Sequence, residues 1–321
     1  MSRHSWILPV GLFLAAVAVA AADESPAAER RAAAALEEAR KGVQGGRMKA
    51  AWEKLTALRR DYAKTRVVAG ARDEIARLGL LAGVEVVGAA AGFRAQVEPG
   101  PKGAVRIVYD FADLAGLEDF EPVFNLPDIH LVRRAIEFVS GTGAWCHRAV
   151  FHGDVRFEIE GEVLEAHDIG LVCVDPDAQD PRFLTGVLGN SYFGVKYDEE
   201  RSISPGHILL FAGRGAESRA RTNPSQILAR KTEPPLVAGQ VARMALSWKG
   251  TALRLGLLPT SLDLPGALTN QDQEMPRKRI GLHLWRSKFR PRRAVLEGVL
   301  DPEWSKGELE RLRARIGGAG R

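Results

Sequence analysis

Cysteine is scarce in this chain: Cys146 and Cys173 are the two in 321 residues. Two thiols cannot make a disulfide scaffold or a cysteine-rich metal site. They leave room for one bridge, or for two small buried thiols in segments that alternate like strands. His130, His147, His152, His167, His207 and His283 show neither HxH nor HExxH spacing, so the sequence does not support zinc. Charge of one sign is also lacking. Forty-five Lys and Arg against 40 Asp and Glu give +5, a mild balance that calls for no nucleic-acid partner. Beyond the N-terminus no apolar run reads as long enough to span a bilayer.

The N-terminus itself reads MSRHSWILPVGLFLAAVAVAAADE. Arg3 and His4 precede an apolar run from Ile7 to Ala18, and Ala18, Ala20 and Ala22 precede the first acid, Asp23. This is the layout of a secretory signal peptide over residues 1–22. Retention as an anchor is the other reading, because the run approaches the roughly 17 residues a spanning helix needs. Cleavage leaves an exported chain, periplasmic, cell-surface or secreted, with no membrane span. About 300 residues exceed one small core, so two domains are expected.

Proline is missing from Ala27 to Leu81, where the apolar period is helical. Met48, Ala51, Trp52, Leu55, Leu58 and Tyr62 fall at steps of three and four; Val68, Ala71, Ile75 and Leu78 repeat the pattern. Gly45 and Gly46 divide this stretch from an Ala-rich segment, and Thr65 can cap the third helix. The helical module is set at residues 23–83, followed by a Gly- and Ala-rich linker over 84–103. Its Leu, Ala and Tyr spacing resembles a tetratricopeptide-type repeat, which implies a protein partner on its concave face. A plain helical hairpin capping the main domain is the competing reading.

From Ala104 the period changes to two. AVRIVYDF, DVRFEIEG, DIGLVCVD, HILLFAG, ARMALSWKGTALRLGL, KRIGLHLW and RAVLEGVL read as short strands, with Lys249-Gly250 as a tight hairpin. That pattern gives a mainly β fold, an antiparallel sandwich preceded by the small α-helical hairpin module. The strand order, ending in Gly298, Leu300, Asp301 and Trp304, resembles the concanavalin A-like lectin/glucanase jelly roll over residues 104–304, particularly its exported bacterial versions and the related 3-keto-disaccharide hydrolase-like domains. The resemblance implies a sandwich fold that hosts lectins, hydrolases and adhesion modules alike. The hydrolase-like domains usually carry an Asn-Ser-Gly-polar-Arg stretch where this chain reads HDIGLVCVD. A charged C-terminal helix or tail follows over 305–321.

Three sets of residues are candidates for chemistry. Glu158, Glu160 and Glu162 stand at every second position, the spacing of the Glu-x-Asp-x-Glu strand in laminarinase-like hydrolases. A glutamate replaces the central aspartate, and Gly161 is expected to break the strand, so a solvated acid face is the simpler expectation and no catalytic residue is assigned. Asp175, Asp177 and Asp180 could hold calcium, although turn chemistry accounts for them and no cofactor is required. Asn190, Tyr192, Lys196, Tyr197 and Asp198 mix aromatics with polar groups, as a sugar platform does, and could equally belong to the core. The basic stretches PRKRI and RSKFRPRR read as a charged strand edge and turn able to attract an acidic polymer. The functional expectation is a non-catalytic module for a glycan or another envelope component. A glycoside hydrolase of the same fold and an adaptor working through the helices are the alternatives.

Overall fold

The computed structural model describes residues 25–112, 114–124, 128–132, 135–165, 168–177, 182–189, 207–214, 227–232, 237–258, 262–267 and 275–318. The chain forms two compact units, one ending at Leu78 and the other beginning at Gly79.

The first unit is helical. Helix α1 (Pro26–Gln44) starts with Pro26 in its first turn and with the Ser25 hydroxyl accepting from the Ala28 amide, and it ends at Gly45 and Gly46. Gly46 adopts φ 70, which suits a residue without a Cβ. Helices α2 (Met48–Asp61), α3 (Arg66–Gly70) and the start of α4 (Arg72–Val87) follow. The third expected helix is thus split at Ala71. Thr65 caps α3 through Val68, as expected, and the Glu29 carboxylate also accepts from the Arg66 and Val67 amides. Ala32, Leu36, Ala39, Leu55, Leu58, Ile75 and Leu78 form one buried cluster. Arg40 forks onto Glu74 at 2.7 and 2.6 Å beside it.

Residues 84–103, read as a linker, are built into structure. They hold the end of α4, a 3-10 turn (Gly88–Gly92) and strand β1 (Gln96–Pro99). Their small residues are there for close packing, since Ala89 and Ala90 are buried. The segment Arg72–Gly92 is also long and apolar enough to cross a membrane by length and composition, against the sequence reading. Gly88, at φ 59, ends the α-helix at Val87. The helical part is about 24 Å long, short of a hydrocarbon core of about 30 Å.

The second unit is an antiparallel sandwich. After β1 come β2 (Ala104–Asp110), β3 (Phe120–Phe124), β4 (Asp128–Val132), β5 (Ala135–His147), β6 (Phe151–Glu165) and β7 (Asp168–Val174). Then follow β8 (Arg182–Gly189), β9 (His207–Arg214), β10 (Ile227–Thr232), β11 (Val241–Lys249), β12 (Ala252–Leu258), β13 (Leu262–Ala267), β14 (Arg277–Leu300) and helix α5 (Pro302–Gly318). The expected hairpin at Lys249-Gly250 is present, with Gly250 at φ 54 and Met244, Leu246 and Trp248 opposite Leu257, Leu255 and Leu253.

Strand β14 organises the sandwich. It was expected as two strands joined by a basic turn, but it runs unbroken. Its first half lies between β5 and β7, and its second half lies between β2 and β6. At Lys288 and Phe289 it neighbours β5 and β6 together, so one strand passes from one sheet half to the other there. Phe157, Ile159, Met244, Leu246, Leu255, Leu296 and Ile107 make the buried face of the second half.

Gly161 does not break β6. The strand continues to Glu165, and a Cβ at Gly161 would strike Phe289 and lie 2.5 Å from the Arg290 carbonyl oxygen. The glycine lets β14 approach closely. The two cysteines are free and cannot bridge as placed. Cys146 shares a face with Gly281 and Val172, Cys173 is paired with Ile280 on the opposite face, and β14 lies between them. Burial pushes both thiols up to about 12.

Candidate functional site

The acid row on β6 meets arginines. Glu158 is 7% exposed, not solvated as expected. Its neighbours in register, Ala245 and Val295, are small enough for Arg243 and Arg156 to fold over its carboxylate, at 2.6 and 3.0 Å. Glu160 stands in register between Arg243 and Arg293. Glu162 takes Arg290 at 2.8 Å, and Arg290 also holds Glu137. Glu158 and Glu162 are four positions apart on one strand, about 13 Å along the backbone, and each engages its own arginines. They do not converge.

Described members of the late basic clusters are engaged in the same way. Lys288 pairs with Glu165, Arg290 and Arg292 with Glu162, and Arg279 with Glu121. Arg277 forks onto Asp301 and reaches Asp177 at 2.8 Å. Lys278 is buried, donating to the Gly153 carbonyl and lying 4.2 Å over the Trp248 ring. Asp175 accepts from the Asp177 amide in a local turn, and Asp180 lies outside the described residues. Among the described residues no group of three or more His, Cys, Asp or Glu side chains could hold a metal. Asn190, Tyr192, Lys196, Tyr197 and Asp198 also lie outside the described residues.

The C-terminal Gly-x-Leu-Asp-x-x-Trp ending has a structural role. Asp301 accepts from the Trp304 amide and starts α5, while Trp304 stacks on Phe93 with centroids 5.8 Å apart. Beside this helix lies an open polar cleft of about 280 Å³. Its walls are α5, with Glu308, Arg311 and Arg315, the loop that carries Arg94 and the 3-10 turn (Leu114–Asp119) that carries Glu118; Arg148 and Asp119 form its floor.

Arg148 follows the last residue of β5 and is locked from three sides. Its Nε donates to Asp119 at 3.2 Å, one terminal nitrogen to Glu308 at 2.8 Å and the other to the Gly92 carbonyl at 3.3 Å. Beneath it lies a buried chain of polar groups. The Ala149 amide donates to His147 Nδ1, so Nε2 carries the proton and donates to the Tyr109 hydroxyl at 2.7 Å. That hydroxyl donates to Asp119 at 2.9 Å, and the Arg94 amide donates to the same oxygen. Phe93 and Phe120 pack edge-on against the imidazole. Burial holds His147 well below its ordinary range, reinforced by Arg148 and Arg279. Burial also raises Asp119 above its ordinary value, against the Arg94 amide, Tyr109 and Arg148, and pushes Tyr109 well up. The arrangement holds one guanidinium in a fixed pose at a cleft floor.

No motif spacing joins Asp119, His147, Arg148 and Glu308, which is why none was singled out in the sequence. The one local sign is a His-Arg pair inside the apolar run AWCHRAVF.

The imidazole gives a pH prediction. Its folded pKa lies below the unfolded value near 6.5, so between the two the unfolded chain binds the extra proton. Stability should therefore fall as pH drops below about 6.5, by no more than about 1.4 kcal/mol per pH unit from this group. Asp119, raised, acts with the opposite sign nearer its own range. Urea midpoints at pH 7.5 and 5.5 should separate for the native chain and draw together in His147→Gln. An equal pH dependence in both would place the titrating group elsewhere.

Neither a family model nor a curated protein matches this sequence. Among solved structures, the chain is similar to the carbohydrate binding module CBM66 from Bacillus subtilis, at 11% identity and a TM-score of 0.37, over 57% of this chain and 93% of that one. A Bacillus subtilis protein of unknown function with a galectin-like fold aligns at 12% identity and a TM-score of 0.43, over 64% and 99%. The exoplasmic/lumenal domain of VIP36, in a Ca2+/Man3GlcNAc-bound form, aligns at 10% and 0.43, over 63% and 89%.

Proposed function

We propose that this chain is an exported, non-catalytic binding module whose ligand is a glycan or another polymer of the cell envelope. The observation that supports it is the fate of the acids. A retaining hydrolase needs two carboxyl groups about 5 to 5.5 Å apart. Among the described residues, Glu158 and Glu162 lie apart on one strand, each bound to its own guanidinium groups. The open cleft beside α5, by contrast, offers guanidinium and carboxylate groups, with Arg148 fixed by Asp119 and Glu308. The solved structures with similar folds include a carbohydrate binding module and a mannoside-bound lumenal domain, in keeping with this reading.

The test is a glycan array with the purified protein, read beside hydrolysis of the same panel. Binding without release of reducing ends is the expected result. Turnover that disappears in Glu158→Gln or Glu162→Gln would make the chain a hydrolase instead.

A further inference from the structure

We propose that the cleft beside α5 receives the carboxylate of an acidic sugar residue, an inference that rests on the reading of the chain as a glycan-binding module. In the late basic clusters Lys278, Arg279, Lys288, Arg290 and Arg292 are each engaged by an internal acid or carbonyl. The cleft has internal pairs of its own, Arg94 with Glu118 at 3.3 Å, Arg148 with Asp119 and Glu308, and Arg311 with Glu308 at 3.0 Å, yet its cations outnumber its acids. Four guanidinium groups, those of Arg94, Arg148, Arg311 and Arg315, line it against the carboxylates of Glu118, Asp119 and Glu308. Arg148 uses three of its five N–H donors internally, one on each nitrogen, which leaves a second hydrogen on both terminal nitrogens. Since its pose is fixed beforehand, a ligand need not order it on binding. Arg311 and Arg315 are four apart on α5 and so project from one side, and both are exposed. Planar guanidinium forks suit a carboxylate.

The carboxylates among these arginines narrow the class further. The exposed Glu118 can accept from hydroxyl groups, which a uronic acid presents next to its own carboxylate and an acidic peptide side chain does not. An open cleft of about 280 Å³ falls just below the range of ligand pockets, about 300 to 1,000 Å³, so it suits one sugar residue of a longer chain.

Titration calorimetry with oligogalacturonate, a matched neutral galacto-oligosaccharide and oligoglutamate tests this, using the native protein, Arg315→Ala and Arg313→Ala. Arg313 lies two residues away, on another side of the helix, and is exposed. Oligogalacturonate should bind at least about tenfold more tightly than the neutral sugar, and Arg315→Ala should lose about tenfold, the size of one charge-assisted hydrogen bond. Arg313→Ala should bind as the native chain does, and both variants should melt at the native temperature. Equal binding of the neutral sugar overturns the acidic-ligand inference and leaves glycan binding standing. Oligoglutamate binding as tightly overturns the choice of a sugar. Equal losses in the two variants, or none in Arg315→Ala, overturn the cleft as the site. Failure of every sugar to bind overturns the module reading beneath it.

Discussion

Gly281→Ala is expected to destabilise the sandwich by at least about 3 kcal/mol, at or beyond the usual upper range for overpacking. Gly281 sits in β14 with Cys146 of β5 on one side and Val172 of β7 on the other. A Cβ there would strike the Trp145 carbonyl oxygen and lie 2.5 Å from the Cys146 Cα. Both obstacles are backbone, so no rotamer change relieves them, and the spacing of two hydrogen-bonded strands would have to open. Two other glycines calibrate the expectation. At Gly298 the nearest atoms are Phe151 Cδ1 at 2.9 Å and the Asp154 carbonyl oxygen at 3.1 Å, milder overlaps than those at Gly281, and alanine should cost about 1–2 kcal/mol. At Gly307, inside α5, nothing lies within 4 Å, and alanine should stabilise by about 0.8–1 kcal/mol. Urea unfolding followed by tryptophan fluorescence ranks the three. Gly281→Ala unfolding at or above the midpoint of Gly298→Ala would mean that the strands can part at little cost.

The same close approaches mark where the sequence stopped being readable. Local rules carried far: Thr65 caps its helix, Gly45-Gly46 ends α1, and the Lys249-Gly250 hairpin sets the register of three apolar pairs. These features depend on residues a few positions apart, where propensity and turn geometry act. Gly161 looked like a breaker, and the RSKFRPRR stretch that holds Pro291 like an edge and turn, because the partners of Gly161 and Pro291 were invisible. The two residues face each other in register, and the bare Gly161 makes room for β14. Lys288, Arg290 and Arg292 looked like a free basic turn for the same reason, since their acids, Glu137, Glu162 and Glu165, come from strands more than 120 residues earlier. The cleft lies further along this scale. Arg148 and Glu308 are 160 residues apart and meet only once α5 has docked.

Arg148→Ala should be the most damaging change in that cleft, costing about 3–5 kcal/mol, as removal of one partner from a buried ion pair does. The side chains it leaves behind are 3% exposed at Asp119 and 5% at Glu308. Glu308 keeps Arg311 at 3.0 Å from its second oxygen, although without hydrogen-bond geometry, so most of the loss should fall on Asp119. Asp119 would retain the Arg94 amide and the Tyr109 hydroxyl but no guanidinium among its described contacts. Arg148 also stacks 5.0 Å above Phe93, and Arg148→Met separates that packing from the charge by keeping an apolar stem. If the uncompensated carboxylate is the cause, Asp119→Asn added to Arg148→Ala should recover about 0.5–3 kcal/mol of the summed single losses. Because burial raises the Asp119 pKa, the penalty of Arg148→Ala should also shrink as pH falls and the acid is neutralised. Urea midpoints of the four variants at pH 7.5 and 5 measure both effects. An additive double mutant with a penalty indifferent to pH would mean that Arg148 acts through its stem on Phe93, and that Asp119 is satisfied without it.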